Sequence, residues 1–198
     1  MYMPKVNRMG QASLLSDADY LKIKSHLMSF HHKLIFDIAW WTGERLGAVV
    51  QLPTNAVFDA KGKPLDYITF PARTRKASPD GKRQTRQVPT HPNLREILRE
   101  YSNAHKPNLV GFLFPSSHGS HLQFQAASRA LRRAVAKAGL VSNGISTHSF
   151  RRTLITKLSR RGIATATIKK ITGHQDVHAL MKYIEVSDDQ IKEAIATL

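Results

Sequence analysis

The sequence contains no cysteine among its 198 residues, so neither a disulfide nor a thiolate metal site can form. Acidic residues are scarce: 14 against 30 lysines and arginines, a formal net charge of +16. A surplus of that size points to a polyanionic partner, nucleic acid first, with ribosome association, a membrane surface or a plain basic domain as alternatives. No apolar run approaches the roughly 20 residues that cross a bilayer, and the first 30 residues lack the apolar stretch of a secretory signal. A cytoplasmic setting and no membrane partner are therefore expected. The apolar share is ordinary at 41%, enough for one domain with a buried core. The basic residues are spread along the chain, denser at 73–86 and 151–161, as on a folded basic surface rather than a tail.

Residues 1–13 carry little pattern and read as a flexible, basic lead-in. Ser16 with Asp19 three positions on forms a capping-box signal for a first helix bearing Leu21, Ile23, Leu27 and Phe30. A second apolar helix runs from His31 to Trp41 and stops at Thr42-Gly43, and a short third contains Leu46, Val49 and Val50. Two β-like runs, Tyr67–Phe70 and Arg86–Pro89, flank the turn-rich Ser78-Pro79-Asp80-Gly81 and predict a hairpin. Further helices are predicted after Pro92, over 123–138, 147–161, 165–172, 176–184 and 188–198, with Gly139, Gly162 and Gly173 as stops. The expected class is mainly α with a small antiparallel β-sheet (α+β). Trp40 and Trp41, on an apolar helix, read as core.

Three stretches carry candidate chemistry. Thr42-Gly43-Glu44-Arg45 sets an arginine at the head of an apolar helix. Thr147-His148-Ser149-Phe150-Arg151-Arg152 sets a proton carrier and a guanidinium three apart, on one face if helical. Thr172-Gly173-His174 is followed, nine residues after the histidine, by Tyr183. Taken singly each is weak: a lone arginine is usually solvated, an HxxR is often a basic helix face, and a tyrosine is often core.

In that order, however, the three stretches resemble the tyrosine recombinase (phage integrase-like) family. Its pattern is a TGxR arginine, a β-hairpin lysine, an HxxR pair, a Gly-His or Gly-Trp, and a tyrosine about nine residues on. The matching positions are Arg45, a hairpin lysine, His148 with Arg151, His174 and Tyr183, over roughly residues 14–198. The resemblance implies that 14–198 has the tyrosine recombinase catalytic-domain fold, without the N-terminal core-binding domain that thirteen lead-in residues are too short to supply. The chain is then expected to be a catalytic fragment or a short family member, binding DNA weakly and with strong salt dependence.

The resemblance also implies roles. Tyr183 is the nucleophile, attacking a DNA phosphate to give a 3′-phosphotyrosine and a free 5′-hydroxyl. Arg45 and Arg151 clamp the non-bridging oxygens. His148 accepts the phenolic proton or binds phosphate, and His174 bonds a phosphate oxygen. A hairpin lysine protonates the leaving 5′-oxygen; Lys76 is the first choice and Lys82 the runner-up, because hairpin register is not readable from sequence. Neither cofactor nor metal is implied, since bond energy is kept in the protein–DNA link. Arg73, Arg75, Lys82, Arg129, Arg132, Arg133 and Arg152 are expected to contact the duplex. The implied partner is double-stranded DNA, bound by a homo-tetramer that is monomeric when free. The family's arginine is usually followed three positions later by an acid that organises the site; here that position is Ala48. The expected activity is site-specific recombination, with a type IB topoisomerase-like enzyme and a catalytically silent DNA-binding module as alternatives.

Overall fold

The computed structural model describes residues 11–75, 77, 81–117, 119–174, 176–184 and 188–197. Lys76 and most of the expected lead-in lie outside them, as does the Ser78-Pro79-Asp80 part of the predicted turn.

The chain begins with α1 (Asp17–Ser25), whose capping box forms as expected: Ser16 accepts from the Asp19 amide and Asp19 reaches back to the Ser16 backbone. Helix α2 (Phe30–Thr42) is the central post. Leu34 through Trp40 are all buried, the one carboxylate among them, Asp37, paired with Lys24 at 2.8 Å, and the helix touches α3 (Leu46–Val49), α4 (Pro92–His105), α5 (Phe124–Lys137) and α6 (Ser149–Arg160). Trp40 is core, stacked on Tyr20 at 4.3 Å and edged by Phe150. Trp41 is half-buried and stacks on His91 instead. The α1 stripe is narrower than expected. Tyr20 and Ile23 face inward, whereas Leu21 and Phe30 are exposed.

The predicted hairpin forms with the predicted bounds: β1 (Tyr67–Phe70) pairs antiparallel with β2 (Arg86–Pro89), Ile68 opposite Val88 and Phe70 opposite Arg86. Strand alternation puts Val88 and Arg86 on the inner face and Gln87 and Pro89 outside. A charged side chain thus enters the interior from the sheet.

After α6 come α7 (Thr165–Thr172), α8 (Val177–Met181) and α9 (Asp188–Ile195). The main core runs from Leu15 to Phe150. Ile155, Ile168 and Leu180 form a separate small cluster that carries Leu158, Tyr183 and Ile184 on its flank. Among the described residues, the C-terminal segment therefore rests on fewer buried apolar side chains than the rest. Among the described residues, no helix is long and apolar enough to cross a membrane.

Candidate functional site

The site is built where two helices end. Both α2 and α7 close with Thr-Gly: Thr42 Oγ1 donates to the Ile38 carbonyl (2.6 Å) and Thr172 Oγ1 to that of Ile168 (2.7 Å). Gly43 and Gly173 follow in the left-handed conformation, φ +61 and +64, which stops each helix and leaves its last carbonyls pointing outward. A side chain at either position would be strained by the backbone conformation and would have to displace a neighbour. A Cβ on Gly43 would meet Leu154 Cδ2 at 2.6 Å, and one on Gly173 would meet Arg75 Nη2 at 2.6 Å.

Three buried arginines occupy the space between those two ends. Arg151, from the first turn of α6, donates Nη1 to the Gly43 carbonyl and Nη2 to the Thr172 carbonyl, both at 2.9 Å. Arg86 donates Nη2 to the Thr42 carbonyl (2.8 Å). Arg75 donates Nη1 to Gln84 O (2.9 Å), and its Nη2 lies 3.5 Å from Gly173 O. Helix C-termini carry partial negative charge, and a carbonyl is the acceptor a guanidinium lacks. That explains why three large cations can be buried here.

One carboxylate completes the arrangement. Glu44, 1% exposed, accepts from Arg86 Nη1 at 2.7 Å through Oε2, which also lies 3.2 Å from Arg75 Nε. Its Oε1 accepts the Arg45 amide (2.8 Å). Burial alone raises the Glu44 pKa, but the charges of Arg86 and Arg75 and the Arg45 amide outweigh it, so the acid stays below its ordinary value. The Arg151 pKa is also lowered. Burial, then the like charge of Arg45, bring it down to about 9, so it remains a cation at neutral pH.

Arg45, half-buried at the head of α3, shares one pocket with His148, Arg151, Thr147 and Glu44. Two cations with a histidine at the rim are suited to an oxyanion of phosphate geometry. Arg151 Nε is buried and makes no hydrogen bond to the described residues, so part of its fork is uncommitted. His148 is not inside a helix as expected. It is the N-cap of α6 and exposed, while Arg151 three positions on is buried. The two converge because both line this pocket, not because they share a solvated face.

His174 sits behind Arg151. Thr172 Oγ1 gives its proton to Ile168, so it accepts from His174 Nδ1 (2.7 Å). His174 Nε2 is left as the acceptor facing Arg151 Nη2 at 3.1 Å. Burial, then Arg151 and Arg45, push the His174 pKa down to about 3, which keeps the ring neutral. In that state its two ring nitrogens face Thr172 and Arg151.

Tyr183 was expected on a helix over 176–184. Helix α8 ends at Met181, and Tyr183 lies in the turn beyond it, its amide donating to the Leu180 carbonyl (2.9 Å). Its ring centroid is 5.8 Å from that of His174, and its carbonyl accepts from Thr156 Oγ1 (3.2 Å). It shares a shallow depression with His148, which therefore borders both the arginine pocket and the tyrosine.

The basic residues expected on DNA divide in two. Arg73, Lys82, Arg129, Arg132 and Arg133 are exposed, the last three on the face of α5 opposite Ala127, Leu131 and Ala134. Arg75 and Arg152 are buried, 8% and 2% exposed, and Arg152 donates to the Ala12 carbonyl at 2.8 Å. They brace the interior rather than the surface. Sequence reasoning missed Glu44 and Arg86 altogether. The signal for Arg86 was present in the strand alternation, which puts it on the same side as Val88. Among the described residues, no group of three or more His, Asp or Glu is placed to hold a metal ion.

Residues 13–190 match the Phage integrase family. A tyrosine recombinase XerC-like protein of Caldanaerobacter subterraneus subsp. tengcongensis is 24% identical over 92% of this chain and 53% of its own length. The integrase of Mycobacterium phage L5 is 26% identical over 85% of this chain and 48% of its own. The chain thus spans about half the length of these curated relatives. Among solved structures, the XerA recombinase superposes with a TM-score of 0.71 at 20% identity, covering 96% of this chain and 66% of that one. A lambda integrase dimer bound to a COC′ core site gives 0.65 at 20%, covering 88% and 48%. These likenesses show the fold, a mainly α domain with a small antiparallel sheet, to be that of tyrosine recombinase catalytic domains.

Proposed function

The chain belongs to the phage integrase family, and from that premise we propose that it is a site-specific DNA recombinase working through a 3′-phosphotyrosine link. The observation that carries this reading is the convergence of Arg45, His148 and Arg151 on one pocket, with His174 bonded to Arg151 and Tyr183 beside His174. Arg45 and Arg151 hold the non-bridging oxygens of the scissile phosphate and stabilise the charge that builds on the phosphorane. His148, bordering both depressions, takes the phenolic proton that Tyr183 gives up as it attacks. The Tyr183 Oη–P bond forms as the P–O5′ bond breaks. A hairpin lysine, Lys76 or Lys82, gives the leaving oxygen its proton. Attack by a 5′-hydroxyl of another strand reverses the step, so neither a cofactor nor a metal is called for.

The substrate is double-stranded DNA, held by the exposed arginines of α5 and the hairpin. Assembly as a homo-tetramer on DNA is part of the proposal, favoured by Ile191 and Ile195 of α9, which are 53% and 65% exposed in the single chain. The test is incubation with suicide DNA substrates. Wild type should accumulate a covalent adduct and Tyr183→Phe none. An equal yield from both would remove Tyr183 as nucleophile, and no wild-type adduct would leave only a DNA-binding module. Relaxation of supercoils without pairing of sites would favour a topoisomerase-like enzyme over a recombinase.

A further inference from the structure

Ala48 occupies the place where an acid is expected to organise the arginine of the TGxR motif, and it is buried with no polar group to offer. The acid in the neighbourhood is Glu44, one residue before Arg45 and fully enclosed. We propose that Glu44 is a positioning residue that fixes Arg45 and couples it to the β-hairpin, taking over from position 48. The inference rests on the reading of Arg45 as a phosphate clamp.

The two oxygens of Glu44 face in two directions. Oε1 accepts the amide of Arg45 at 2.8 Å, at the residue whose backbone (φ −65, ψ 138) turns the chain into α3. That bond sets the direction in which the Arg45 side chain leaves the backbone. Oε2 takes Arg86 Nη1 at 2.7 Å and faces Arg75 Nε at 3.2 Å, one arginine from β2 and one from the chain after β1. Arg86 returns to the Thr42 carbonyl at 2.8 Å, so the 42–45 segment is held at both ends. A displacement of the hairpin, which bears the candidate leaving-group acid, therefore reaches Arg45 through the Glu44 carboxylate as well as through the Thr42 carbonyl. Neutralising buried arginines does not by itself require the Arg45 amide bond, and that bond separates positioning from mere charge balance.

The test compares wild type with Glu44→Asp and Glu44→Gln. Asp keeps the charge but is one methylene too short to serve both directions; Gln keeps an acceptor for the amide but loses the charge facing Arg86. Each should cut single-turnover adduct formation at saturating DNA at least tenfold, with the Kd for DNA changed less than threefold. Hydrogen exchange over residues 42–48 should quicken in Glu44→Asp while the core helix α2 keeps its protection. A folded variant that cleaves at the wild-type rate overturns the proposal, as does lost cleavage with unchanged exchange at 42–48. Should both variants fail to fold, the wild type still decides. Its Arg45 amide should exchange as slowly as the amides of α2, and rapid exchange refutes the tie. If wild type forms no adduct, the phosphotyrosine reading fails, while the exchange measurement still judges the Glu44–Arg45 link.

Discussion

Arg151 Nη2 lies 3.1 Å from Nε2 of His174, and a guanidinium can donate there only while the imidazole nitrogen keeps its lone pair. Protonating His174 would set two cations against each other in a buried space that already holds Arg45 and Arg86. Burial first, and then the charges of these arginines, bring its pKa down to about 3. The pair links the last helix stop, the clamp and the tyrosine, because the His174 ring also lies against Tyr183.

An unfolded histidine titrates near pH 6.5, and folded His174 resists protonation until about pH 3. Between those values the unfolded chain binds the extra proton, so stability falls as pH falls. With solvent screening of the ring taken into account, this amounts to about 1 kcal/mol between pH 6.5 and 5, or roughly 2–4 °C in a chain of this size. Replacing His174 by Gln should flatten the melting temperature over that window relative to wild type. The depressed carboxyl of Glu44 contributes stability that is lost only as pH drops below its ordinary value of 4.5, outside the window. Parallel melting curves for the two proteins would contradict the assignment.

Arg151 braces two helix ends as well as facing the pocket. Arg151→Ala strands the carbonyls of Gly43 and Thr172, at a cost of about 2–4 kcal/mol, and the melting temperature should drop by roughly 5–15 °C. Below that temperature, adduct formation should fall by orders of magnitude with much of the non-specific DNA binding retained. Equal losses in binding and cleavage would take Arg151 out of the chemistry.

On the hairpin, Lys76→Ala and Lys82→Ala should differ on substrates with a 5′-bridging sulfur. That leaving group needs no proton, so the variant lacking the true general acid recovers cleavage on it and the other shows no special rescue. Recovery of neither would place the acid elsewhere.

DNA affinity should fall steeply with salt, and the exposed face of α5 should carry part of the slope. Each phosphate contact contributes roughly −0.9 to the slope of log K against log salt. Changing Arg129, Arg132 and Arg133 together to Gln should make the slope shallower by about 2–3. An unchanged slope would move the duplex away from α5.

Adduct formation should also survive EDTA, because positioning and proton transfer rest on side chains alone. Loss of activity on chelation, restored by a divalent ion, would overturn the proposed mechanism.

Much of this was legible in the sequence because it depends on short-range chemistry. The capping box at Ser16, the glycine stops after Thr42 and Thr172, and the hairpin bounds all follow from a few neighbouring residues. So does the ordered set Arg45, His148, Arg151, His174 and Tyr183, whose spacing alone carried the family resemblance. Tertiary structure decided what each charge does. Arg73 and Arg75 look alike in sequence, yet one is exposed and the other is buried against Glu44. Arg151 and Arg152 are adjacent, yet one reaches two helix ends and the other the Ala12 carbonyl. Whether a guanidinium is solvated or buried depends on carbonyls and carboxylates brought from far along the chain. Gly43 and Arg151 are 108 positions apart, and no local pattern encodes that meeting.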